Sequence, residues 1–276
     1  MLVSMKEILD RANKEGYGVI APNIVNEPTA RICIDLAEEL KAPLILGFGF
    51  NFHPDIVKLG RIVEILAFNT TVPIALHLDH GNDLYEVLMA IKSGFTSVMI
   101  DKSREDFEEN VKQTKAVVEL AHSVGISVEG ELGHVGRASD NNIDSSNLTD
   151  PYLAEEFVRK TNVDCLAVAV GTAHGLYKAE PKLDLERIKK IHELTQIPLV
   201  LHGGSGVGSK SLRHAIANGV AKINIATDNF VAALDNLKGL SEPHMLYHCL
   251  EDGFKKSLRY YMEQTDQIGK SWFNKN

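Results

Sequence analysis

A single (β/α)8 (TIM) barrel of the α/β class, spanning residues 1–276 with an N-terminal capping helix and a C-terminal helical extension, is predicted by three observations. Eight short runs rich in Ile, Val and Leu alternate with longer segments of helical period from the first quarter of the chain to its last. Most of these runs are continuously apolar, as parallel strands covered on both faces must be. The length of 276 residues suits an eightfold barrel of about 250 residues, and no Gly-x-Gly-x-x-Gly turn follows the first run as an open dinucleotide-binding sheet would require.

The first element is a helix at 4–14, with Ser4 as N-cap and Glu7 at the capping-box position; its apolar face is expected to close the bottom of the barrel. Strands follow at 18–21, 43–46, 73–77, 97–100, 127–131, 166–170, 198–202 and 222–226. Amphipathic segments at 55–69, 84–93, 106–123, 153–160, 185–195 and 210–218 each return the chain to begin another parallel strand. The runs ending at His77 and His202 share a proline entrance and lie four strands apart, as a half-barrel repeat would place them. The longest polar stretch, 136–147, is rich in turn formers and reads as a functional or mobile loop after strand five.

Composition narrows the function. With 29 Lys+Arg against 37 Asp+Glu, the net charge of −8 argues against nucleic acid, so an anionic ligand must be held locally. No run approaches the ~20 apolar residues of a membrane span, and charge at Lys6 and Glu7 interrupts what a signal peptide would keep apolar. Cys33, Cys165 and Cys249 have no Cys-x-x-Cys spacing, which predicts a reducing compartment, by default the cytoplasm.

Barrel enzymes carry their chemistry at the C-terminal ends of the strands. There the third strand delivers Asp79 and His80, the fourth Asp101, the fifth Glu131, the sixth His174, the seventh His202 and the eighth Asn224. Three histidines on one rim make a site for Zn2+ with an open fourth position, and such an ion can take a substrate oxygen as a Lewis acid. His80, His174 and His202 are the candidates. Asp101 and Glu131 could hold a second metal position, orient a ligand histidine or satisfy rim backbone donors. His77 is expected to sit behind the metal ligands. The Gly203-Gly-Ser-Gly206 turn, before a helix beginning near Ser209, is a phosphate-site signal; Asn224 and Thr227 would supply further donors, and Gly175 and Lys178 could complete the cradle.

These residues resemble a known family, the zinc-dependent class II ketose-bisphosphate aldolases, in the fructose- and tagatose-bisphosphate aldolase branch. The likeness covers nearly the whole chain and rests on His77-Leu-Asp-His-Gly81, Gly94-Phe-Thr-Ser-Val-Met-Ile-Asp101, Val128-Glu-Gly-Glu-Leu-Gly133, Gly171-Thr-Ala-His-Gly-Leu-Tyr-Lys178, Leu201-His-Gly-Gly-Ser-Gly206 and Lys222-Ile-Asn-Ile-Ala-Thr227. The resemblance implies that His80, His174 and His202 bind catalytic zinc, with Asp101 and Glu131 near an alternative metal position and Asp79 as the acid–base residue. It implies that Gly175, Gly203, Gly204, Ser205, Asn224, Ala226 and Thr227 hold dihydroxyacetone phosphate, with Lys178 on the phosphate. A monovalent cation (Na+ or K+) near that phosphate and assembly as a homodimer or homotetramer are also implied. The implied reaction is reversible cleavage of a ketose (bis)phosphate, such as fructose or tagatose 1,6-bisphosphate, without a lysine Schiff base.

The chain departs from the family pattern in several places. In the loop after strand five, Ser139 stands where a glutamate proton carrier is expected and Arg137 where a glycine is expected. A serine hydroxyl is no general base at neutral pH without activation, so Asp140 or another group substitutes, or proton exchange is slow. The alternative reading is therefore a sugar-phosphate-binding family member with weak or altered catalysis. Lys102 replaces a glycine beside Asp101, the segment 47–52 is unusually aromatic, and Pro22 precedes Asn23 in place of Phe. His248, Glu251 and Asp252 occupy a region where relatives often carry an arginine for the distal phosphate, leaving Arg259 or Lys255 and Lys256 as substitutes.

Overall fold

The computed structural model describes residues 2–50, 52, 55–140 and 148–273. Asn51 of the aromatic segment and residues 141–147 of the long polar stretch lie outside the described residues. Eight parallel strands run β1 (Val19–Pro22), β2 (Leu44–Phe48), β3 (Ile74–Gly81), β4 (Ser97–Ile100), β5 (Ser127–Leu132), β6 (Cys165–Val168), β7 (Leu199–Leu201) and β8 (Val220–Ile225). From β2 to β8 each strand pairs with the next, and β8 pairs with β1. At the seam between β1 and β2, Asn23 bridges to Gly47 and the Ile24 amide donates to the Gly47 carbonyl at 2.9 Å. The result is the nearly closed barrel that the alternating pattern predicts.

Helices α2 (Glu27–Leu40), α3 (Ile56–Ala67), α4 (Leu84–Lys92), α5 (Phe107–His122), α6 (Pro151–Thr161), α7 (Leu185–Thr195) and α8 (Ser209–Ala217) connect successive strands. The N-termini of α2 to α7 are set by side chains that accept first-turn amides: Asn26 for α2, and Asp55, Asp83, Asp106, Asp150 and Asp184 for α3 to α7. Apolar residues between helices and strands form one continuous core. A smaller core fills the barrel interior, where Met5, Ile8, Leu9 and Ala12 of α1 (Met5–Glu15) meet inward residues such as Ile45, Ala75 and Val200. The helix therefore closes the bottom, as expected. Its capping box does not form: Ser4 occupies the N-cap position without a side-chain cap bond, and the entry is fixed instead by the Val3 amide on the Ile74 carbonyl.

The C-terminal extension comprises α9 (Thr227–Asp235) and α10 (Leu246–Gln264). Beyond it, the buried Gln267 side chain accepts from the Ile20 amide at 2.8 Å and donates to the Pro43 carbonyl at 2.8 Å, so the end of the chain clips the start of β1 to the entrance of β2. All three cysteines are free. No helix among the described residues is long and apolar enough to cross a membrane.

Candidate active site

The placement of Asp79 and His80 follows from an irregularity in β3. Leu78 pairs with Val98 and Gly81 with Ile100, so β3 carries one residue more than β4 across this step. In a regular strand, adjacent side chains point to opposite faces. Here the bulge, with His80 at φ 54°, aims both inward at the mouth. Gly81 completes the device, because a Cβ there would lie 2.5 Å from the Met99 carbonyl oxygen.

Asp79 is buried and accepts the side-chain amides of Asn23 at 2.9 Å and Asn224 at 3.0 Å. Burial opposes its charge, but the imidazole of His80 and the ammonium of Lys222 outweigh that and hold the carboxyl well below the usual range. Asn224 thus reaches Asp79 directly, and its Oδ1 is buried without a partner among the described residues.

The ligand-capable atoms of His80, His174 and His202 all lie within 4.8 Å of one another, and those of His80, Asp101 and Glu131 meet the same limit. His80 belongs to both groups. Its Nδ1 meets Asp101 Oδ2 at 2.8 Å and its Nε2 faces His202 Nδ1 at 2.9 Å. Of the roles open to Asp101, orienting His80 is the one its contact supports; its other oxygen accepts from the amide and hydroxyl of Ser103. Glu131 Oε1 accepts from the Val135 amide at 3.2 Å, while the buried Oε2 has no hydrogen-bond partner among the described residues.

Burial disfavours a proton on His80, yet the charges of Asp79, Asp101 and Glu131 raise its pKa to about 10. Burial and the neighbouring His202 and His80 lower that of His174 to about 3. Burial pushes Glu131 upward. Carboxylates that draw positive charge into a three-imidazole cluster, and an orphaned carboxylate oxygen at its edge, are the donor set a divalent cation uses. The residues fit a metal ion.

Beside the histidines, the β6, β7 and β8 loops interlock. Gly203 has φ 65°, and a Cβ there would meet the Ala173 carbonyl oxygen at 2.3 Å, so only glycine permits this approach. The Tyr177 hydroxyl receives the Ala173 amide at 2.6 Å and reaches the Gly203 carbonyl at 2.8 Å, tying two loops together. Ser205 Oγ accepts from the Asp228 amide at 3.2 Å, which sets Ser205 against the first turn of α9, opened by Ala226 and Thr227. At the start of α8, where an anion site is expected, an acidic side chain is present. There the Glu180 carboxylate accepts the Gly208 amide at 3.2 Å and the Ser211 hydroxyl at 2.9 Å. Gly175 and Lys178 line a cavity of about 510 Å³ together with His174, Arg137 and Ser139.

Comparison with known proteins accords with this geometry. The family profile for fructose-bisphosphate aldolase class-II matches residues 3–270. The chain belongs to the class II fructose-bisphosphate aldolase family. A fructose-bisphosphate aldolase of Geobacillus stearothermophilus is 46% identical over 241 residues, covering 84% of this chain and 83% of the relative. One from Staphylococcus aureus (strain Mu50 / ATCC 700699) is 41% identical over 271 residues, covering 94% and 95%. The crystal structure of the YdjI aldolase from Escherichia coli K12 matches with a TM-score of 0.89 at 34% identity, covering 98% of this chain and 100% of that one. Membership makes the protein an aldolase of the lyase class, from a family that is metal-dependent and acts on phosphorylated sugars.

Of the departures in this aldolase, Lys102 donates to the Asn82 carbonyl at 2.7 Å rather than entering the histidine cluster. Arg259 pairs with Glu39 of α2, and Lys255 with Glu251, so both are engaged on the outer helices. Ser139 does reach the cavity that contains His174. Sequence reasoning missed Glu129 and Lys222, buried within the barrel beneath the histidines. Their signal was a charge at an inward position of an otherwise apolar strand. It also missed His134, whose Nδ1 meets the Ser103 hydroxyl at 3.0 Å.

Proposed function

We propose that this aldolase reversibly cleaves a ketose 1,6-bisphosphate, with fructose or tagatose as the sugar and dihydroxyacetone phosphate as one fragment, using Zn2+ held by His80, His174 and His202. The single observation that carries the reading is the convergence of these three imidazoles, from β3 and the loops after β6 and β7, next to a carboxylate gripped by two amides. A divalent ion there supplies Lewis-acid stabilisation of the negative charge that develops beside the ketone during cleavage.

Asp79 takes the proton from the C4 hydroxyl in cleavage and returns it in condensation. Asn23 and Asn224 keep it ionised and aimed. Gly203, Gly204, Ser205, Ala226 and Thr227 receive the triose phosphate, with Gly175 and Lys178 closing the cavity and a monovalent cation, Na+ or K+, beside it. Asp101 and Glu131 hold His80 and provide an alternative metal position.

The whole chain acts as one barrel domain in the cytoplasm. Assembly as a homodimer or homotetramer is supported by the apolar side chains exposed at the C-terminal end of α3 and on α4, among them Ile65, Phe68, Tyr85 and Leu88.

Metal analysis together with a retro-aldol assay on both bisphosphates tests the reading. Asp79→Ala is expected to lower turnover by ~10²–10⁴-fold while retaining metal, and His174→Ala to lose metal. Full activity in metal-free protein would refute the proposal.

A further inference from the structure

Beneath the histidine cluster, Glu129 of β5 and Lys222 of β8 form an ion pair at 2.8 Å with both side chains fully buried. Such a pair contributes little net stability, because desolvation cancels most of the attraction and an apolar pair of similar volume often does as well. Its other contacts show what it accomplishes. Lys222 and, at 3.4 Å, His77 Nε2 address Glu129 Oε2. Glu129 Oε1 is left to His202, meeting its Nε2 at 2.7 Å. An ionised carboxylate only accepts hydrogen bonds, so the proton of His202 must reside on Nε2. Nδ1 then carries the lone pair, and this is the atom that faces His80 Nε2.

We infer that Glu129 and Lys222 are positioning residues for the metal: Lys222 occupies one oxygen of Glu129, and the other fixes His202 as the Nε2–H tautomer with Nδ1 presented to the ion. The inference rests on the reading that His80, His174 and His202 bind the metal. Asp101 does the converse for His80, holding Nδ1 so that Nε2 faces inward. Two ligands from opposite sides of the barrel are thereby oriented through opposite nitrogens by two carboxylates.

Glu129→Gln tests the device. A glutamine has one oxygen, and the Lys222 ammonium, with no acceptor capacity of its own, requires it. The amide NH2 then faces His202 and favours the tautomer with its proton on Nδ1, toward the ion. Zn2+ affinity, measured by competition with a chromophoric chelator, is expected to fall by ~10–100-fold. Glu129→Gln combined with Lys222→Met frees the glutamine oxygen to accept from His202, and affinity should recover to within about threefold of the parent. A role in packing alone predicts no recovery, because the double variant removes more of the native contacts.

Imidazole ¹⁵N shifts of His202 in the unmodified protein should report Nε2–H without relying on the folding of any variant. Wild-type affinity in Glu129→Gln, a double variant no better than the single one, or Nδ1–H in the native protein would each overturn the inference. Those results leave the metal reading standing. Retention of metal by His174→Ala would defeat that reading and this inference with it.

Discussion

Gly81 is the residue through which a single methyl group should separate fold from function. An added Cβ would stand 2.5 Å from the Met99 carbonyl oxygen and 2.9 Å from Leu78 Cδ2, and the first contact is about 0.5 Å inside the 3.0 Å limit real Cβ atoms observe. The carbonyl belongs to strand backbone, so β3 itself must move. The part that moves is the bulge carrying Asp79 and His80. Overpacking of this kind costs about 1–3 kcal/mol, and a displacement approaching 1 Å at reacting groups costs on the order of 100-fold in rate. Gly81→Ala is therefore expected to lower kcat by roughly 10–100-fold at saturating metal, with a reduced urea midpoint. A control is Gly94→Ala, at φ 86° in the α4–β4 turn with nothing within 4 Å of the new methyl. It should lose about 1 kcal/mol through its backbone conformation and keep its turnover. The retro-aldol rate of both variants, compared at equal folded fraction, decides the matter. A Gly81→Ala protein with kcat within twofold of the parent would refute the claim that the bulge positions Asp79 and His80 for the reaction.

Gln267→Ala removes the clip across the β1–β2 seam and leaves the Ile20 amide and the Pro43 carbonyl without their partner. At about 1–3 kcal/mol for each orphaned group, the unfolding midpoint should drop measurably in a thermal scan while KM is unchanged, since the clip lies at the end of the barrel opposite the site. Glu38, near the end of α2, is partly desolvated, which opposes its charge. Hydrogen bonds from the hydroxyl and amide of Thr71, the charge of Lys41 and the amide of Val72 outweigh this and lower its pKa. A carboxylate with a depressed folded pKa stabilises above its unfolded value and loses that contribution as pH falls through the folded one. Glu38→Gln should thus be less stable than the parent by about 1 kcal/mol at pH 7. Paired denaturant titrations should show that gap closing as pH falls below about 4.3.

Much of the barrel is legible in the chain because a parallel strand covered on both sides leaves a short apolar run, and each predicted run overlaps an observed strand. The histidines are legible for a related reason: each lies at or within a few residues of the C-terminal end of such a run, so chain order brings His80, His174 and His202 to one rim. Which side chains face each other across that rim is not written locally. Asp79 and His80 share the mouth only because β3 gains a residue against β4, and register is a property of two strands together. Glycines after β7 suggest an anion at the start of α8, but they give no sign that Glu180 reaches the Gly208 amide there from another loop. Glu129 and Lys222 stand 93 positions apart and become partners only when the barrel closes. The sequence by itself determined the periodicity, the strand ends and the residue types at the rim, because these depend on neighbours along the chain. Tertiary structure alone decided the pairing of charges and the orientation of each imidazole, because those depend on groups that meet only across the folded sheet.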